Sequence, residues 1–176
     1  RDAIMRDGMD VRFQVNTIAP YALTRKLLPL MDASARVVNL SSAAQAPVDP
    51  EALAGRTQPS GEFDAYAQSK LALTMWSHAM AMSLGADGPA IIAVNPGSLL
   101  ATKMVKEGFG TAGNDIGIGA DILCRAALSD EFRDASGRYF DNDSSRFADP
   151  HPDALDPRKC AEITRVIETV LDKAAL

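Results

Sequence analysis

The sequence is poor in cysteine, histidine and aromatic side chains. Its 176 residues include two cysteines and two histidines, and aromatic residues make up 6%. Cys124 and Cys160 cannot form a disulfide scaffold, so we expect a cytoplasmic protein in which both cysteines are small buried hydrophobes. The histidines, His78 and His151, form no metal-binding pattern, and we expect His78 to be a helix-surface or packing residue.

Long apolar runs and an excess of positive charge are also missing. No stretch reaches the roughly 18 uninterrupted apolar residues of a membrane span. The formal net charge is −5, whereas phosphate binding needs a basic surface. We therefore expect neither a membrane nor a nucleic acid among the partners.

The composition that remains is that of a globular protein. Apolar residues make up 47% and charged residues 23%, a balance that argues against disorder and provides a core. The length lies within the usual range of a single domain. We predict one domain over residues 1–176.

Helices and strands alternate along the chain. Apolar runs with β-branched residues predict buried strands at 36–40 and 90–94, and Arg138 to Phe140 predicts a third, short strand. Apolar residues at helical spacing predict the main helices, at 9–31, 66–84, 120–128 and 157–174. Pro20 predicts a kink or a local break in the hydrogen-bond ladder of the first helix.

This order predicts a three-layer α/β fold. Strands that alternate with helices form right-handed crossovers and a parallel sheet. We expect the helices 9–31 and 66–84 on the same side of that sheet. Their outer faces, with Met75, Trp76 and Met80, would expose more apolar surface than a monomer usually does. We therefore predict a homo-oligomer formed through these two helices.

Distinctive turns follow the two stronger strands. Ser41 and Ser42 come after the first, and Pro96 and Gly97 after the second. In a parallel sheet of this type the chemistry lies at the carboxyl ends of the strands. These two turns are therefore the predicted location of a site.

Tyr66 and Lys70 are four residues apart at the start of a predicted helix, so they share one face. A free tyrosine has a pKa of about 10 and is a poor base at neutral pH. A nearby ammonium and the helix N-terminus favour the phenolate. The pair predicts an acid/base for a substrate alcohol or carbonyl, with Ser42 holding the same oxygen. By itself the spacing also fits an exposed pair on a helix surface.

Together these motifs resemble the short-chain dehydrogenase/reductase family. The matching segments occur in the family's order, as Val15-Asn16, Val37 to Ser42, Tyr66 to Lys70, and Asn95-Pro96-Gly97. The long gap from Ser42 to Tyr66 is similar to that of the retinol-dehydrogenase-like members. The resemblance implies a Rossmann-like, doubly wound parallel sheet. It also implies that residues 1–176 are the C-terminal portion of an NAD(P)-binding domain, without its N-terminal strands.

The resemblance implies a role for each matching residue. Tyr66 is expected to be the catalytic acid/base, assisted by Lys70, which also binds the nicotinamide ribose. Ser42 is expected to orient the substrate carbonyl, with Ser41 as the alternative. Asn16 is expected to support a water-linked proton relay to Lys70. The cofactor, NAD or NADP, is expected to contact Tyr66, Lys70, Pro96, Gly97, Leu99 and Thr102.

The reaction implied is hydride transfer between the nicotinamide and a small carbonyl or alcohol substrate. The family's glycine-rich phosphate turn is missing, so we expect a longer natural chain with that turn upstream. The alternative is a catalytically inactive dehydrogenase-like domain that binds a nucleotide or a partner.

Two further motifs receive simpler interpretations. The pattern from Gly108 to Gly113 matches a dinucleotide-binding turn, but no convincing buried strand precedes it. We expect a mobile loop over the substrate there. The run from Asp141 to Asp143 is similar to a calcium loop but lacks its turn glycine and closing glutamate. We expect a solvated loop over 141–152.

Overall fold

The computed structural model describes residues 4–6, 8–101 and 113–174. The strands are β1 (Met5–Arg6), β2 (Met9–Asp10), β3 (Arg36–Leu40), β4 (Ala90–Asn95), β5 (Tyr139–Asp141) and β6 (Arg146–Ala148). The α-helices are α1 (Val11–Phe13), α2 (Ala19–Leu27), α3 (Pro50–Leu53), α4 (Glu62–Leu84), α5 (Ile116–Leu128) and α6 (Pro157–Ala174). A π-helical turn spans Gln14–Ile18, and 3-10 turns span Leu28–Leu30, Gly85–Asp87, Asp130–Phe132 and Pro152–Leu155.

The main sheet has the strand order β3-β4-β5-β6. β3, β4 and β5 are parallel, and β6 turns back antiparallel to β5. The three predicted strands are confirmed to within one residue at each end. The prediction of a loop over 141–152 is wrong where β6 forms. β6 forms by antiparallel pairing with β5, from Tyr139–Ala148 to Asp141–Arg146.

The first long helix begins later than predicted and contains a break. β2 occupies the residues expected to open it, and the Asp10 carboxylate caps the helix by accepting from the Arg12 N–H at 2.8 Å. A π-helical turn over Gln14–Ile18 precedes α2, which has Pro20 in its first turn. The predicted local break is confirmed, since Pro20 has no N–H to donate to the ladder.

Helices cover both faces of the sheet. On one face, a buried cluster combines Ile91 with side chains of α1, α2, α4 and α6, among them Phe13, Tyr21, Leu71, Trp76 and Ile167. On the other face, Ile92 and Val94 pack with Ile122 of α5. The three-layer α/β architecture is confirmed, and so is the placement of helices 9–31 and 66–84 on one side.

α4 is buried more completely than the sequence predicted. Met75, Trp76 and Met80, expected on its outer face, are 2%, 0% and 9% exposed. They lie in the same cluster as residues of the amphipathic α6, which packs against α4. The outer-face assignment is therefore wrong. The apolar surface on which the prediction of a homo-oligomer was based is therefore buried within the chain itself.

β3 is an edge strand among the described residues. Its Asn39 is buried, but Leu40 is largely exposed. The prediction of a buried strand is therefore only partly correct for β3, whereas β4 is buried from Ile91 to Asn95. None of the described helices is long and apolar enough to cross a membrane.

The cysteines and His78 have structural environments. Both cysteines are free. Cys160 is buried, and desolvation raises the pKa of its thiol to about 11. Cys124 is exposed on α5, so the prediction that it is buried is wrong. His78 packs as expected, with its Nδ1 3.0 Å from the carbonyl oxygen of Gly137.

Candidate active site

The carboxyl ends of the three parallel strands meet at one edge of the sheet. β3 continues into Ser41 and Ser42, β4 continues into Pro96, and β5 ends at Asp141. The Ser41 N–H donates to the carbonyl of Val94 at 2.8 Å, so the serine turn stays paired with β4 beyond the end of β3. The two turns predicted as a site are thus adjacent.

Tyr66 and Lys70 are on the same side of α4, as their spacing predicted. The Nζ of Lys70 lies 5.7 Å from the centre of the Tyr66 ring. The same Nζ donates a 2.7 Å hydrogen bond to the carbonyl of Leu40, the last residue of β3. The lysine therefore connects the tyrosine with the strand end from which the two serines follow.

Burial determines the charge state of Lys70. Desolvation lowers the pKa of its ammonium to about 8, because a partly buried charge loses its hydration. Lys70 is therefore mainly protonated at neutral pH and becomes neutral over the mildly alkaline range. In its charged form it can donate hydrogen bonds and stabilise a phenolate beside it.

The helix that carries Tyr66 begins at Glu62, so the predicted start at Tyr66 is wrong. Tyr66 lies in the second turn, and the first turn contains Glu62 and Asp64. The field of a helix N-terminus falls off within the first turn. Of the two predicted sources of positive charge beside Tyr66, the helix N-terminus and Lys70, it is Lys70 that lies close to the ring.

Ser41 and Ser42 have different surroundings. Ser41 is buried, with its hydroxyl 2.7 Å from that of Thr74. Ser42 is half-buried, and its Oγ accepts from the N–H of Ala44 at 3.1 Å. The Ser42 hydroxyl therefore keeps its own proton for donation, whereas Ser41 is engaged with α4. This difference supports Ser42 rather than Ser41 as the substrate-binding serine.

Tyr139 and Gln45 hold the Ser42 backbone, and the sequence analysis did not predict either residue. The Tyr139 hydroxyl donates to the Ser42 carbonyl at 3.1 Å. The Gln45 side chain donates to the same oxygen at 2.9 Å. Alternation along a strand puts Tyr139 and Asp141 on one face of β5. The contact with Ser42 depends on how β5 pairs with β4, which no local pattern reveals.

Asn16 contacts the turn of α4 that carries the tyrosine and the lysine. Its Nδ2 donates to the Ser69 hydroxyl at 3.1 Å, and that hydroxyl donates to the Tyr66 carbonyl at 2.7 Å. Pro20 has no N–H, so the α-helical hydrogen bond to the Asn16 carbonyl, four residues earlier, cannot form. The Asn16 carbonyl oxygen could accept a hydrogen bond from a water molecule, as a water-linked relay requires. The relay to Lys70 stays a prediction.

The turn after β4 adopts an unusual backbone. Gly97 has φ 124° and Leu99 has φ 52°. Positive φ is an uncommon conformation for a non-glycine residue such as Leu99, and such residues cluster at functional turns. Thr102 and residues 108–112 lie outside the described residues. The predicted cofactor contact of Thr102 and the predicted substrate loop therefore lie outside them too.

Two carboxylates hold this turn. Asp143 accepts from the Ser98 N–H at 2.8 Å, from the Ser98 hydroxyl at 2.5 Å and from the Asn95 side chain at 2.9 Å. Asp141 accepts from the same Asn95 amide at 2.7 Å. The prediction of a solvated loop is therefore wrong for Asp141, which ends β5, whereas Asp143 lies in an exposed turn as predicted.

The same hydrogen bonds favour the charged form of both acids. Partial burial opposes ionisation of Asp141 and Asp143, but the hydrogen bonds outweigh it, and the pKa of each carboxyl lies below its usual value. Ser144 and Asn95 donate to Asp141, and Ser98 and Asn95 donate to Asp143. The described part of the chain contains no group of side chains that could hold a metal ion.

Comparison with known proteins assigns the family. A family model described as short chain dehydrogenase matches residues 3–112, more than half of the chain. The chain belongs to the short-chain dehydrogenase family. The resemblance inferred from the sequence motifs is thus confirmed.

Curated short-chain dehydrogenases align along most of the chain. Retinol dehydrogenase 13 of Homo sapiens is 28% identical over 183 residues, which cover 92% of this chain and 55% of the human protein. Short-chain dehydrogenase TIC 32 A, chloroplastic, of Brassica napus is 31% identical over 159 residues, which cover 78% of this chain and 50% of that protein. The chain therefore spans about half the length of the curated relatives it matches.

Solved structures share the fold of this short-chain dehydrogenase. An uncharacterised protein from Mycobacterium Paratuberculosis superposes with a TM-score of 0.75 at 22% identity, over 97% of this chain and 62% of that one. Carbonyl reductase Sniffer of D. melanogaster superposes with a TM-score of 0.58 at 20% identity, over 83% and 59%. At these identities the likeness concerns the fold, and the Rossmann-like architecture is confirmed.

Proposed function

We propose that this chain carries the catalytic residues of an NAD(P)-dependent oxidoreductase that transfers a hydride between the nicotinamide and a carbonyl or alcohol substrate. Membership of the short-chain dehydrogenase family supports oxidoreductase activity in general. The observation that carries the proposal is the position of the Lys70 ammonium between the Tyr66 ring and the Leu40 carbonyl. It links a phenol, a cation and the serine turn in one site.

Tyr66 is proposed as the acid/base. In carbonyl reduction its hydroxyl gives a proton to the substrate oxygen as negative charge develops there, and in alcohol oxidation the phenolate takes the proton back. The charge of Lys70 stabilises the phenolate. The Ser42 hydroxyl donates to the same substrate oxygen, since its own oxygen already accepts from the Ala44 N–H.

A bound nicotinamide dinucleotide, NAD or NADP, would supply or accept the hydride. The donor set fits the nicotinamide-ribose end of such a molecule. Lys70 and Tyr66 can donate to ribose hydroxyls, and Gly97 leaves its backbone open because it has no side chain and a positive φ. The residues proposed to hold this end are Tyr66, Lys70, Pro96, Gly97, Leu99 and Thr102.

The substrate is proposed to be a small carbonyl or alcohol. The names retinol dehydrogenase and carbonyl reductase, borne by a relative and by a structural neighbour, describe reactions of this type. Two free cysteines support a reducing compartment, and a cytoplasmic location is proposed on that basis. The homo-oligomer stays a prediction.

Oxidation of NADH or NADPH by a panel of aldehydes and ketones tests the proposal. The protein that carries this chain is assayed at the absorbance band of the reduced nicotinamide. Turnover with at least one carbonyl is expected. Nucleotide binding by calorimetry without turnover of any aldehyde or ketone of the panel would instead favour the catalytically inactive alternative.

A further inference from the structure

The β5–β6 hairpin is hydrogen-bonded to both turns of the candidate active site. On β5, the Tyr139 hydroxyl donates to the carbonyl of Ser42, at 3.1 Å. At the tip of the hairpin, Asp143 accepts from the amide and the hydroxyl of Ser98, at 2.8 and 2.5 Å. The turn at Ser42 is proposed to bind the substrate. The turn at Ser98 directly follows Gly97, which is proposed to bind the nicotinamide.

The contact between Tyr139 and Ser42 has a fixed direction. Tyr139 is buried, and this burial, together with the nearby charges of Asp141 and Asp143, keeps the pKa of its phenol above the usual value. The phenol therefore remains protonated, and a hydrogen-bond donor, at neutral and mildly alkaline pH. Gln45 donates to the same Ser42 carbonyl at 2.9 Å, which leaves the carbonyl little freedom to turn.

Asp143 is similarly constrained. Its carboxylate accepts three hydrogen bonds, two from Ser98 and one from Asn95. Asn95 is the residue paired with Asp141 across β4 and β5, and it donates to both acids. The tip of the hairpin is thus hydrogen-bonded both to Asn95, at the end of β4, and to Ser98, in the turn that follows.

The opposite face of the hairpin is anchored in the core. Three aromatic rings, those of Phe132, Phe140 and Phe147, pack with centroids between 4.9 and 5.2 Å apart. The Arg138 guanidinium covers Phe147 at 4.0 Å from the ring centre. Because this face of the hairpin is packed in the core, the polar side chains on the other face are held in fixed positions.

We propose that the β5–β6 hairpin is a positioning element for the reaction, in which Tyr139 fixes the Ser42 turn and Asp143 fixes the Ser98 turn. Held by one element, the substrate oxygen and the nicotinamide would keep a single relative geometry. Such orientation is a substantial part of catalysis, because small displacements of reacting groups cost rate. The inference rests on the proposed function.

Two near-isosteric variants separate the two contacts. Tyr139→Phe removes the hydroxyl, and we expect kcat to fall about tenfold while the NADH or NADPH Kd stays within about twofold, the change that one hydrogen bond supports. Asp143→Asn presents an N–H₂ group where the carboxylate accepts, and we expect the nucleotide Kd to rise about tenfold.

Matched controls distinguish positioning from loss of stability. Tyr21→Phe removes another buried phenol, whose hydroxyl donates to Glu168 at 2.7 Å away from the site. Asp172→Asn neutralises an exposed carboxylate for which the described residues show no hydrogen bond or ion pair. Both controls should leave kcat and Kd unchanged. Ser98→Ala, at an exposed position, should reproduce part of the effect of Asp143→Asn on Kd even if the aspartate variant folds poorly.

A readout without nucleotide tests the contact itself. Hydrogen exchange of the Ser98 amide should be slow in the unmodified protein and faster in Asp143→Ala, with no change in Asp172→Asn. Equal loss of kcat and affinity in Tyr139→Phe and Asp143→Asn, or effects no larger than those of the controls, would overturn the inference. If the unmodified protein neither binds nucleotide nor turns over, the proposed function itself has failed, and the inference falls with it.

Discussion

The hydroxyls of Ser41 and Thr74 lie 2.7 Å apart in the interior, where they join the end of β3 to α4. The next residue, Ser42, is half-buried and directs its hydroxyl to a different partner, the N–H of Ala44. Two consecutive serines thus have separate tasks. The first joins the strand to the helix, and the second keeps its hydroxyl proton free, as the proposed contact with a substrate requires.

This difference predicts opposite phenotypes for two alanine variants. Ser41→Ala should lower the free energy of unfolding by about 1 kcal/mol, the net value of one hydrogen bond, and leave turnover nearly unchanged. Ser42→Ala should lower turnover with little effect on nucleotide affinity or stability. Urea denaturation and steady-state kinetics check both. A larger loss of turnover in Ser41→Ala than in Ser42→Ala would reverse the assignment.

Lys70→Met should affect both nucleotide binding and the pH profile. Loss of the ammonium removes the charge that stabilises the Tyr66 phenolate, so the alkaline limb of the rate profile should move to higher pH. The nucleotide Kd should rise, because the proposed contact with the ribose is lost. Rates measured from neutral to alkaline pH, with Kd from calorimetry, test this. An unchanged profile would exclude Lys70 as the group that assists Tyr66.

Lys70 should also leave a signature in stability. Its pKa of about 8 in the folded protein lies below the ordinary value of 10.5. Between these values the unfolded chain binds more protons at Lys70 than the folded protein does. The contribution of Lys70 to the free energy of unfolding should therefore rise with pH in that window. Cys160, whose thiol pKa is raised, contributes a slope of opposite sign above about pH 9, so urea denaturation at several pH values should show a more positive slope of the unfolding free energy in the unmodified protein than in Lys70→Met. The same slope in both proteins would contradict the assigned pKa.

Two methionines on α4 test the packing of α6 over that helix. Met75 is 2% exposed and Met82 is 61% exposed. Met75→Ala should cost about 2–5 kcal/mol of unfolding free energy, because it leaves a cavity in the core. Met82→Ala should change stability by less than about 0.5 kcal/mol. Light scattering should show the same mass for both variants and the parent. If Met75→Ala changed the oligomeric state and left stability unaltered, Met75 would lie in a subunit interface, as the sequence predicted, rather than in the core.

Much of the sheet could be predicted because its signals are local. The β-branched runs define β3 and β4, and a spacing of four residues puts Tyr66 and Lys70 on one face. The structure confirms both. The start of α4 was missed because Glu62 to Ala65 carry no apolar periodicity of their own, and a glycine, rather than a side chain that hydrogen-bonds to the helix, precedes them.

The rest depends on contacts between distant parts of the chain. Trp76 is buried in one cluster with Ile163 and Ile167 of α6, some ninety residues further along, and neither segment contains a local signal for that packing. Tyr139 and Asp143 reach the active-site turns because β5 pairs with β4 in one particular register. A one-residue shift of that register would put Tyr139 on the opposite face.

Tyr66→Phe is the measurement that tests the account most directly. The ring is kept, so the protein should fold, and the nucleotide Kd should rise by no more than about tenfold, the effect of losing one hydrogen bond to the ribose. The transferable proton is lost, so turnover of a carbonyl substrate should fall by roughly 10² to 10⁴. Turnover close to that of the unmodified protein, with folding intact, would contradict the assignment of Tyr66 as the acid/base.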